Sequence, residues 1–276
     1  MNKFIYIDYE FNGSKNRFLN LISVSYFVSD TGETKTIWLH KDEVAQEEHI
    51  DKMVIYREQG YTFCAYAVTA EARAFETMLT KYGWGLKPCD FEWMDLYLEW
   101  RQLLNHNDKF TKGRHLVKGR VVEIRENKKW RSEEKSYQAE YGYGAACYKL
   151  LGEKIDTKRK NEVRDILIHG TAEEIEAAKD EILEYNESDI EHLPEMKEAV
   201  INAYLEELDD RDFEAVMSIA ILKRGDYAAR TAATEAFGYP CDIDSTRSFS
   251  ESVPSILFQL QNEINGLFPE IKPFKL

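Results

Sequence analysis

Near the start of the chain, residues 3–10 read Lys-Phe-Ile-Tyr-Ile-Asp-Tyr-Glu. The apolar run before the two acids predicts a short, largely buried β-strand. Side chains alternate between the two faces of a strand, so Asp8 and Glu10 are expected to lie side by side on one face. Two such carboxylates at the end of a buried strand are costly unless a cation lies between them. The alternative is a strand end that emerges into water.

The pattern that follows this strand predicts the rest of the architecture. Strands are expected over residues 19–28 and 33–39, joined by the turn Ser29-Asp30-Thr31-Gly32, and again over 61–67 and 91–94. Helices are predicted over residues 42–59, 70–82, 96–105, 140–151, 157–169, 171–185, 187–207 and 252–266. Three antiparallel strands, then alternating helices and strands, predict an α/β protein with a mixed five-stranded sheet flanked by helices and a helical C-terminal extension.

Composition excludes several classes of protein. The chain has 276 residues, of which 43% are hydrophobic and 13% aromatic, so a packed core is expected and wholesale disorder is not. No apolar run approaches 18 residues, and no secretory signal precedes the first strand, so a cytoplasmic protein without a membrane span is expected. The four cysteines, Cys64, Cys89, Cys147 and Cys241, are far apart. This spacing excludes a zinc ribbon and a disulfide scaffold and is typical of reduced thiols.

Charge is distributed unevenly along the chain. The net charge is −14, yet residues 106–135 contain ten Lys or Arg and five Asp or Glu, a local charge of +5. A basic segment, about 106–138, therefore interrupts the acidic protein and includes a hairpin between Leu116 and Arg125. Its candidate nucleic-acid contacts are Arg114, Lys118, Arg120, Lys128, Lys129, Trp130 and Arg131. Phosphate attraction and stacking on Trp130 would hold a single strand, and the alternative is a solvated loop.

Two more segments place acids at positions where chemistry is expected. Residues 64–71 read Cys-Ala-Tyr-Ala-Val-Thr-Ala-Glu, a buried strand that leads through a loop to Glu71 at the start of a helix. Tyr185 and Asp189 stand at i and i+4 and share one face of a later helix. Taken alone, Glu71 could simply favour the helix dipole, and Asp189 could belong to a charged solvated face.

Together these segments resemble the DEDD family of 3′–5′ exonucleases, in its tyrosine subclass. The first motif, Asp-x-Glu, is residues 8–10, and the third, Tyr-x-x-x-Asp, is residues 185–189. Residues 93–95, Trp-Met-Asp, resemble the Trp-x-Asp step of the family. In the second motif the chain departs from the family, with Tyr66 in place of His, Ala67 in place of Asn and Glu71 in place of Asp. The resemblance covers residues 1–207 and implies an RNase H-like fold.

The resemblance also implies a mechanism. Asp8, Glu10, Glu71 and Asp189 would bind two Mg²⁺ or Mn²⁺ ions, because such all-oxygen sites suit hard cations. Two ions about 3.5–4 Å apart stabilise the attacking and leaving oxygens of a phosphodiester. Tyr185 would orient the attacking water.

The tail carries a second resemblance. Residues 223–229 and 234–242 resemble the connector that follows the exonuclease domain in phage-type family A DNA polymerases. This implies an exonuclease domain over 1–207 and a connector-like helical extension over 208–276. It also implies proofreading of a single-stranded or frayed DNA 3′ end in a bacterial host cell, either beside a separate polymerase chain or as a piece of one. The alternatives are a stand-alone exoribonuclease and a degenerate exonuclease fold that only binds nucleic acid.

Overall fold

The structure, a computed structural model, describes residues 3–13, 18–106, 108–118, 120–124, 140–155, 157–206, 220–237 and 251–262. Its strands are β1 (Phe4–Asn12), β2 (Asn20–Val28), β3 (Glu33–Trp38), β4 (Thr62–Ala65), β5 (Glu92–Asp95), β6 (Gly113–Val117) and β7 (Arg120–Ile124). Its helices are α1 (Glu43–Glu58), α2 (Val68–Lys81), α3 (Leu96–His106), α4 (Asp108–Thr111), α5 (Tyr143–Leu151), α6 (Thr157–His169), α7 (Ala172–Ala177), α8 (Lys179–Ile190), α9 (Leu193–Leu205) and α10 (Leu222–Phe237).

Five strands form the mixed sheet that the sequence predicts, in the order β3-β2-β1-β4-β5. The β1–β2 and β2–β3 pairs are antiparallel, and the β1–β4 and β4–β5 pairs are parallel. Helices pack on the sheet, so the predicted RNase H-like α/β fold is confirmed. Strands β6 and β7 form a separate antiparallel hairpin within the basic segment, as expected.

The alternation of side chains along β1 separates two cores. Ile5, Ile7 and Tyr9 belong to a core with residues of α1, α2 and α10. Phe4 and Tyr6 belong to a second core with residues of α3, α5 and α9. Because strand faces alternate with a period of two, the acids at positions 8 and 10 continue the row of Phe4 and Tyr6. They therefore extend from the face of β1 that carries the second core.

Helix boundaries near the C-terminal part of the core differ from the prediction. The sequence divides residues 171–207 at position 186, whereas α8 runs through this position to Ile190 and α9 begins at Leu193. Pro194 lies in the first turn of α9, where a residue without a backbone N–H is favoured. As a result, Tyr185 and Asp189 lie on one continuous helix.

Helix α10 packs against α2 and β5. Ala228, Ala229 and Ala232 are buried and join the first core. The contact with β5 requires a glycine, because a Cβ atom on Gly225 would lie 2.0 Å from the carbonyl oxygen of Trp93. The first compact unit of the chain runs from Met1 to Phe237, and the predicted domain boundary at residue 207 lies outside the described residues.

The second unit comprises Gly238–Leu276, of which the structure describes a helix over residues 251–262. The remainder of the helix predicted to residue 266 lies outside the described residues. None of the helices in the described ranges combines the length and the apolar character needed to cross a membrane.

Candidate metal centre

Three of the predicted acids meet at the end of β1. Asp8, Glu10 and Asp189 each offer a carboxylate oxygen, and these oxygens lie within 4.8 Å of one another. All three side chains are half-buried. Strand β1 supplies two of them through its period of two, and α8 supplies the third because it packs across β1 and β2. A β-bulge follows directly, since the β1–β2 register shifts between Glu10 and Phe11. Bulges of this kind bend a strand and redirect its side chains, often beside functional sites.

Glu71, in the first turn of α2, lies beside these acids and is 3% exposed. Burial, followed by the charges of Asp8 and Glu10, raises the pKa of the Glu71 carboxyl well above its ordinary value. The backbone N–H of Tyr9 donates to this carboxyl. Its Oε2 atom is buried and has no hydrogen-bond partner among the residues that the structure describes. A buried carboxylate oxygen of this kind calls for a cation or a proton.

Tyr185 lies on the same face of α8 as Asp189 and is buried. Its side chain forms a hydrogen bond with the Asp189 carboxylate. Burial, and then the charges of Asp189, Glu10 and Asp8, raise the pKa of the Tyr185 phenol above its ordinary value. The phenol therefore stays protonated at neutral pH and acts as a hydrogen-bond donor at the acid cluster.

The structure adds three residues to the site that motif analysis misses. Asn186 donates from Nδ2 to Asp8 Oδ2 over 2.7 Å, and Ser23 on β2 donates to Asn186 Oδ1 over 3.1 Å. Tyr143, at the start of α5, is buried close enough to Asp189 and Asp8 for their charges to add to the effect of burial and raise its pKa. Asn186 stands beside Tyr185 in the third motif, but the sequence carries no signal for Ser23 or Tyr143.

The second motif adopts a strained turn between β4 and α2. Ala67 has φ 76° and ψ 65°, a left-handed conformation that costs a residue with a Cβ atom about 1–2 kcal/mol. Its side chain cannot cap the helix. Asp95, at the end of β5, accepts from the backbone N–H of Val68 over 3.0 Å and from that of Leu98 over 3.0 Å. A single buried carboxylate thus binds the first turns of both α2 and α3.

Tyr66, at the position where the family has His, is held within an aromatic cluster. Its hydroxyl donates to the carbonyl oxygen of Tyr141. Its ring packs edge-on against Tyr97 and Tyr143, with centroid distances of 5.8 Å and 5.2 Å. The guanidinium of Arg101 lies over Tyr97 and Tyr141. Through this packing, Tyr66 holds the ring of Tyr143, which lies close to Asp8 and Asp189.

Three of the predicted nucleic-acid contacts, Arg114, Lys118 and Arg120, are exposed on the β6–β7 hairpin. Strand β6 packs against α5, whose first residue, Tyr143, lies near Asp8 and Asp189. Helix α5 therefore contacts the hairpin and also places Tyr143 close to the acid cluster. The other four predicted contacts, Lys128, Lys129, Trp130 and Arg131, lie outside the described residues.

The donor set fits a hard divalent cation. Three half-buried carboxylates within 4.8 Å of one another repel, and the buried Oε2 of Glu71 adds an acceptor that lacks a donor in the described structure. The ligands are all carboxylate oxygens, which suit Mg²⁺ or Mn²⁺ better than zinc. The residues present therefore match the ion class expected from the sequence.

Solved structures of similar fold include NrnC from Brucella melitensis bound to pGG, with 13% sequence identity, 87% of this chain and 88% of that chain covered, and a TM-score of 0.49. NrnC from the same organism with bound Mg²⁺ has 15% identity, coverages of 87% and 89%, and a TM-score of 0.45. The EXO domain of Nibbler from Aedes aegypti has 11% identity, coverages of 84% and 86%, and a TM-score of 0.43. No protein-family model matches the chain, and no curated protein sequence matches it.

Proposed function

We propose that the chain is a metal-dependent 3′–5′ exonuclease that hydrolyses phosphodiester bonds at the 3′ end of DNA. The observation that carries the proposal is the convergence of Asp8, Glu10 and Asp189 within 4.8 Å, with the buried Glu71 beside them. These residues come from β1, α2 and α8, which are far apart in the sequence. They are also the acidic residues of the three sequence motifs that resemble the DEDD family.

Each residue has a distinct part in the proposed reaction. Asp8, Glu10, Glu71 and Asp189 would hold the Mg²⁺ or Mn²⁺ ions, and divalent ions at such a site stabilise the charge that develops on phosphate oxygens. Tyr185 keeps its proton at neutral pH, so it can donate a hydrogen bond to Asp189 and orient a water molecule at the cluster. The acids are half-buried, so part of each side chain is accessible to solvent and to a substrate.

The test is release of mononucleotides from 3′-labelled single-stranded DNA and RNA in Mg²⁺ or Mn²⁺, with EDTA as the blank. Replacing Asp8 and Glu10 together by Ala should abolish release and leave the circular dichroism spectrum native, because the pair binds metal rather than packing the core. Tyr185→Phe should lose less activity, on the order of 10²-fold, because only a water-orienting hydroxyl is removed.

The outcomes separate the candidate functions. Preference for RNA would make the chain an exoribonuclease, and binding without hydrolysis would make it a degenerate exonuclease that holds nucleic acid. If Tyr185→Phe were as damaging as loss of both acids, Tyr185 would have a different role.

We propose further that the basic hairpin guides the strand toward the acid cluster. Its support is the exposure of Lys118 and Arg120 and the packing of β6 on α5. A variant that combines Lys118→Gln and Arg120→Gln should bind single-stranded DNA more weakly. Its log–log salt dependence should be shallower by about 0.7 for each lost phosphate contact. The matched control is Lys35→Gln, an exposed lysine on the edge strand β3. The salt slopes of the wild type, the double variant and the control are measured by fluorescence anisotropy. Equal slopes for all three proteins would show that the hairpin is a solvated segment that does not bind the strand.

We propose, in addition, that the chain has a proofreading role and that a separate DNA polymerase chain is its partner. Both proposals are supported by the resemblance of the tail to a polymerase connector. A second support is the set of apolar side chains that are 40% or more exposed on the helix over residues 251–262, namely Ile256, Leu257, Phe258 and Leu260. The sequence places Ile264 and Leu267 at helix-like spacing after Ile256, Leu257 and Leu260, so we expect them to extend this apolar stripe; both lie outside the described residues.

A further inference from the structure

Asn186 connects α8 to two strands of the sheet through one side chain. It is fully buried, at 0% exposure, and it stands three residues before Asp189. Its Nδ2 atom donates to Asp8 Oδ2 over 2.7 Å and to the backbone carbonyl of Asp8 over 3.2 Å. Its Oδ1 atom accepts from the Ser23 hydroxyl over 3.1 Å. The side chain therefore contacts β1 and β2 at the same point.

The chemistry of the partners fixes the orientation of the amide. A carboxylate oxygen and a carbonyl oxygen only accept hydrogen bonds, so the NH₂ group of Asn186 must face Asp8. The Ser23 hydroxyl can donate, and it satisfies the amide oxygen. A flipped amide would place its oxygen, an acceptor, against Asp8 Oδ2 and the Asp8 carbonyl oxygen, which also only accept. The arrangement thus has one favourable state.

We propose that Asn186 is a positioning residue of the metal centre, which it serves by orienting the carboxylate of Asp8; this inference rests on the proposed exonuclease function. Asp8 and Asp189 come from different elements, so their separation depends on how α8 is seated on β1. The two hydrogen bonds from Asn186 Nδ2 to Asp8 fix the position of α8 on β1 and the rotamer of Asp8 at the same time. Partners that hold metal-binding side chains in place commonly change metal affinity 10- to 100-fold when they are removed.

A purely structural role makes a different prediction. If Asn186 only satisfied buried polar atoms, its loss would lower thermal stability and leave metal affinity unchanged. The matched control is Ser25, which is also fully buried on β2 and whose hydroxyl pairs with Thr36 Oγ1 at 2.9 Å instead of with Asn186. Ser23 and Ser25 therefore differ mainly in whether their hydroxyl reaches Asn186.

The experiment measures Mn²⁺ binding to the full chain by electron paramagnetic resonance of free Mn²⁺, together with circular dichroism and thermal melts. Asn186→Ala should weaken Mn²⁺ binding roughly 10- to 100-fold. Ser23→Ala should weaken it by a smaller factor, about 2- to 10-fold, because the amide keeps its bonds to Asp8. Ser25→Ala should bind Mn²⁺ as the wild type does. Mononucleotide release should fall in the same order at subsaturating Mn²⁺ and recover in part at saturation.

Each outcome decides the inference. Native-like Mn²⁺ affinity in folded Asn186→Ala would overturn it, whatever the change in melting temperature. If Asn186→Ala does not fold, the serine pair decides, and equal Mn²⁺ affinities for Ser23→Ala and Ser25→Ala would overturn it. A wild-type chain that binds no Mn²⁺ and releases no nucleotide would instead overturn the proposed function, and the inference with it.

Discussion

At the scale of single residues, the protonation of Glu71 is tied to the acid cluster. Burial and the charges of Asp8 and Glu10 raise its pKa above the ordinary value of 4.5, so the folded protein without metal holds a proton that the unfolded chain releases. This stabilising contribution is complete below pH 4.5 and is lost as pH rises through the pKa of the folded state. A bound cation would remove the penalty, because it pairs with the ionised carboxylate.

Glu71→Gln should therefore flatten the dependence of stability on pH. Without metal, the variant should melt at a higher temperature than the wild type at about pH 8, and the gap should close toward about pH 5. Added Mg²⁺ should raise the melting temperature of the wild type more than that of the variant. Calorimetry checks this, with Glu187→Gln on the exposed side of α8 as the matched charge control. Parallel loss of stability in the wild type and Glu71→Gln would show that another group titrates.

Local spacing was sufficient to pair four candidate site residues in advance, and Glu71 was added by the resemblance of residues 64–71 to the second family motif. Asp8 and Glu10 follow from the period of a strand, and Tyr185 and Asp189 from the turn of a helix. Ser23 and Asn186 could not be paired in the same way, because 163 positions separate them and only the packing of α8 on β2 joins them.

At the scale of elements, Asp95 binds the N-termini of two helices, α2 and α3, that follow neighbouring parallel strands. Helix α2 begins after Ala67, whose methyl group offers no cap, and Asp95 from the neighbouring strand accepts the N–H of Val68 instead. The same carboxylate caps α3 through Leu98. Sequence analysis finds Asp95 through the Trp-x-Asp step, but its bond to α2 depends on the parallel pairing of β4 with β5. Glu71 lies in the helical turn that this bond secures.

Asp95→Ala should accordingly cost more than the loss of an ordinary cap. Asp95 is 1% exposed and binds two helix N-termini, whereas Asp42 is exposed and caps only α1, through the N–H of Ala45. We expect Asp42→Ala to lower the free energy of unfolding by about 1 kcal/mol and Asp95→Ala by about 2–4 kcal/mol. Urea denaturation followed by circular dichroism measures both. Equal costs would show that the bond between Asp95 and Val68 contributes little to the stability of the β4–α2 turn.

At the scale of the whole molecule, α10 belongs to the core although the sequence assigns it to the tail. Residues 223–229, which lie in α10, belong to the stretch that resembles a polymerase connector, and the sequence does not show that Ala228 and Ala229 pack into the first core. The helix also carries Arg224, whose Nε donates to Glu99 Oε1 over 2.7 Å. Glu99 is fully buried and also accepts from the Tyr204 hydroxyl over 2.8 Å. Removing α10 would leave this carboxylate without its cation.

Two truncations should therefore behave differently. A chain ending at residue 207 loses Arg224 and uncovers β5. We expect it to lose at least about 3 kcal/mol of stability, since a buried charge without its partner costs about 3–5 kcal/mol. A chain ending at residue 237 keeps the first compact unit and should retain the melting temperature, Mn²⁺ binding and mononucleotide release of the full chain. Full-length Arg224→Gln is the control that isolates the ion pair.

The same pair of chains tests the proposed partner. The full chain should elute with its cognate polymerase from a size-exclusion column, and the chain ending at residue 237 should elute alone, because it lacks the exposed apolar helix over residues 251–262. Hydrolysis by the shorter chain shows that it is folded, so loss of the complex can be assigned to the missing segment. A complex that survives the truncation would place the contact on the first compact unit. A chain ending at residue 207 that matched the longer truncation in stability would show that α10 is dispensable, and the boundary at residue 207 would then be correct.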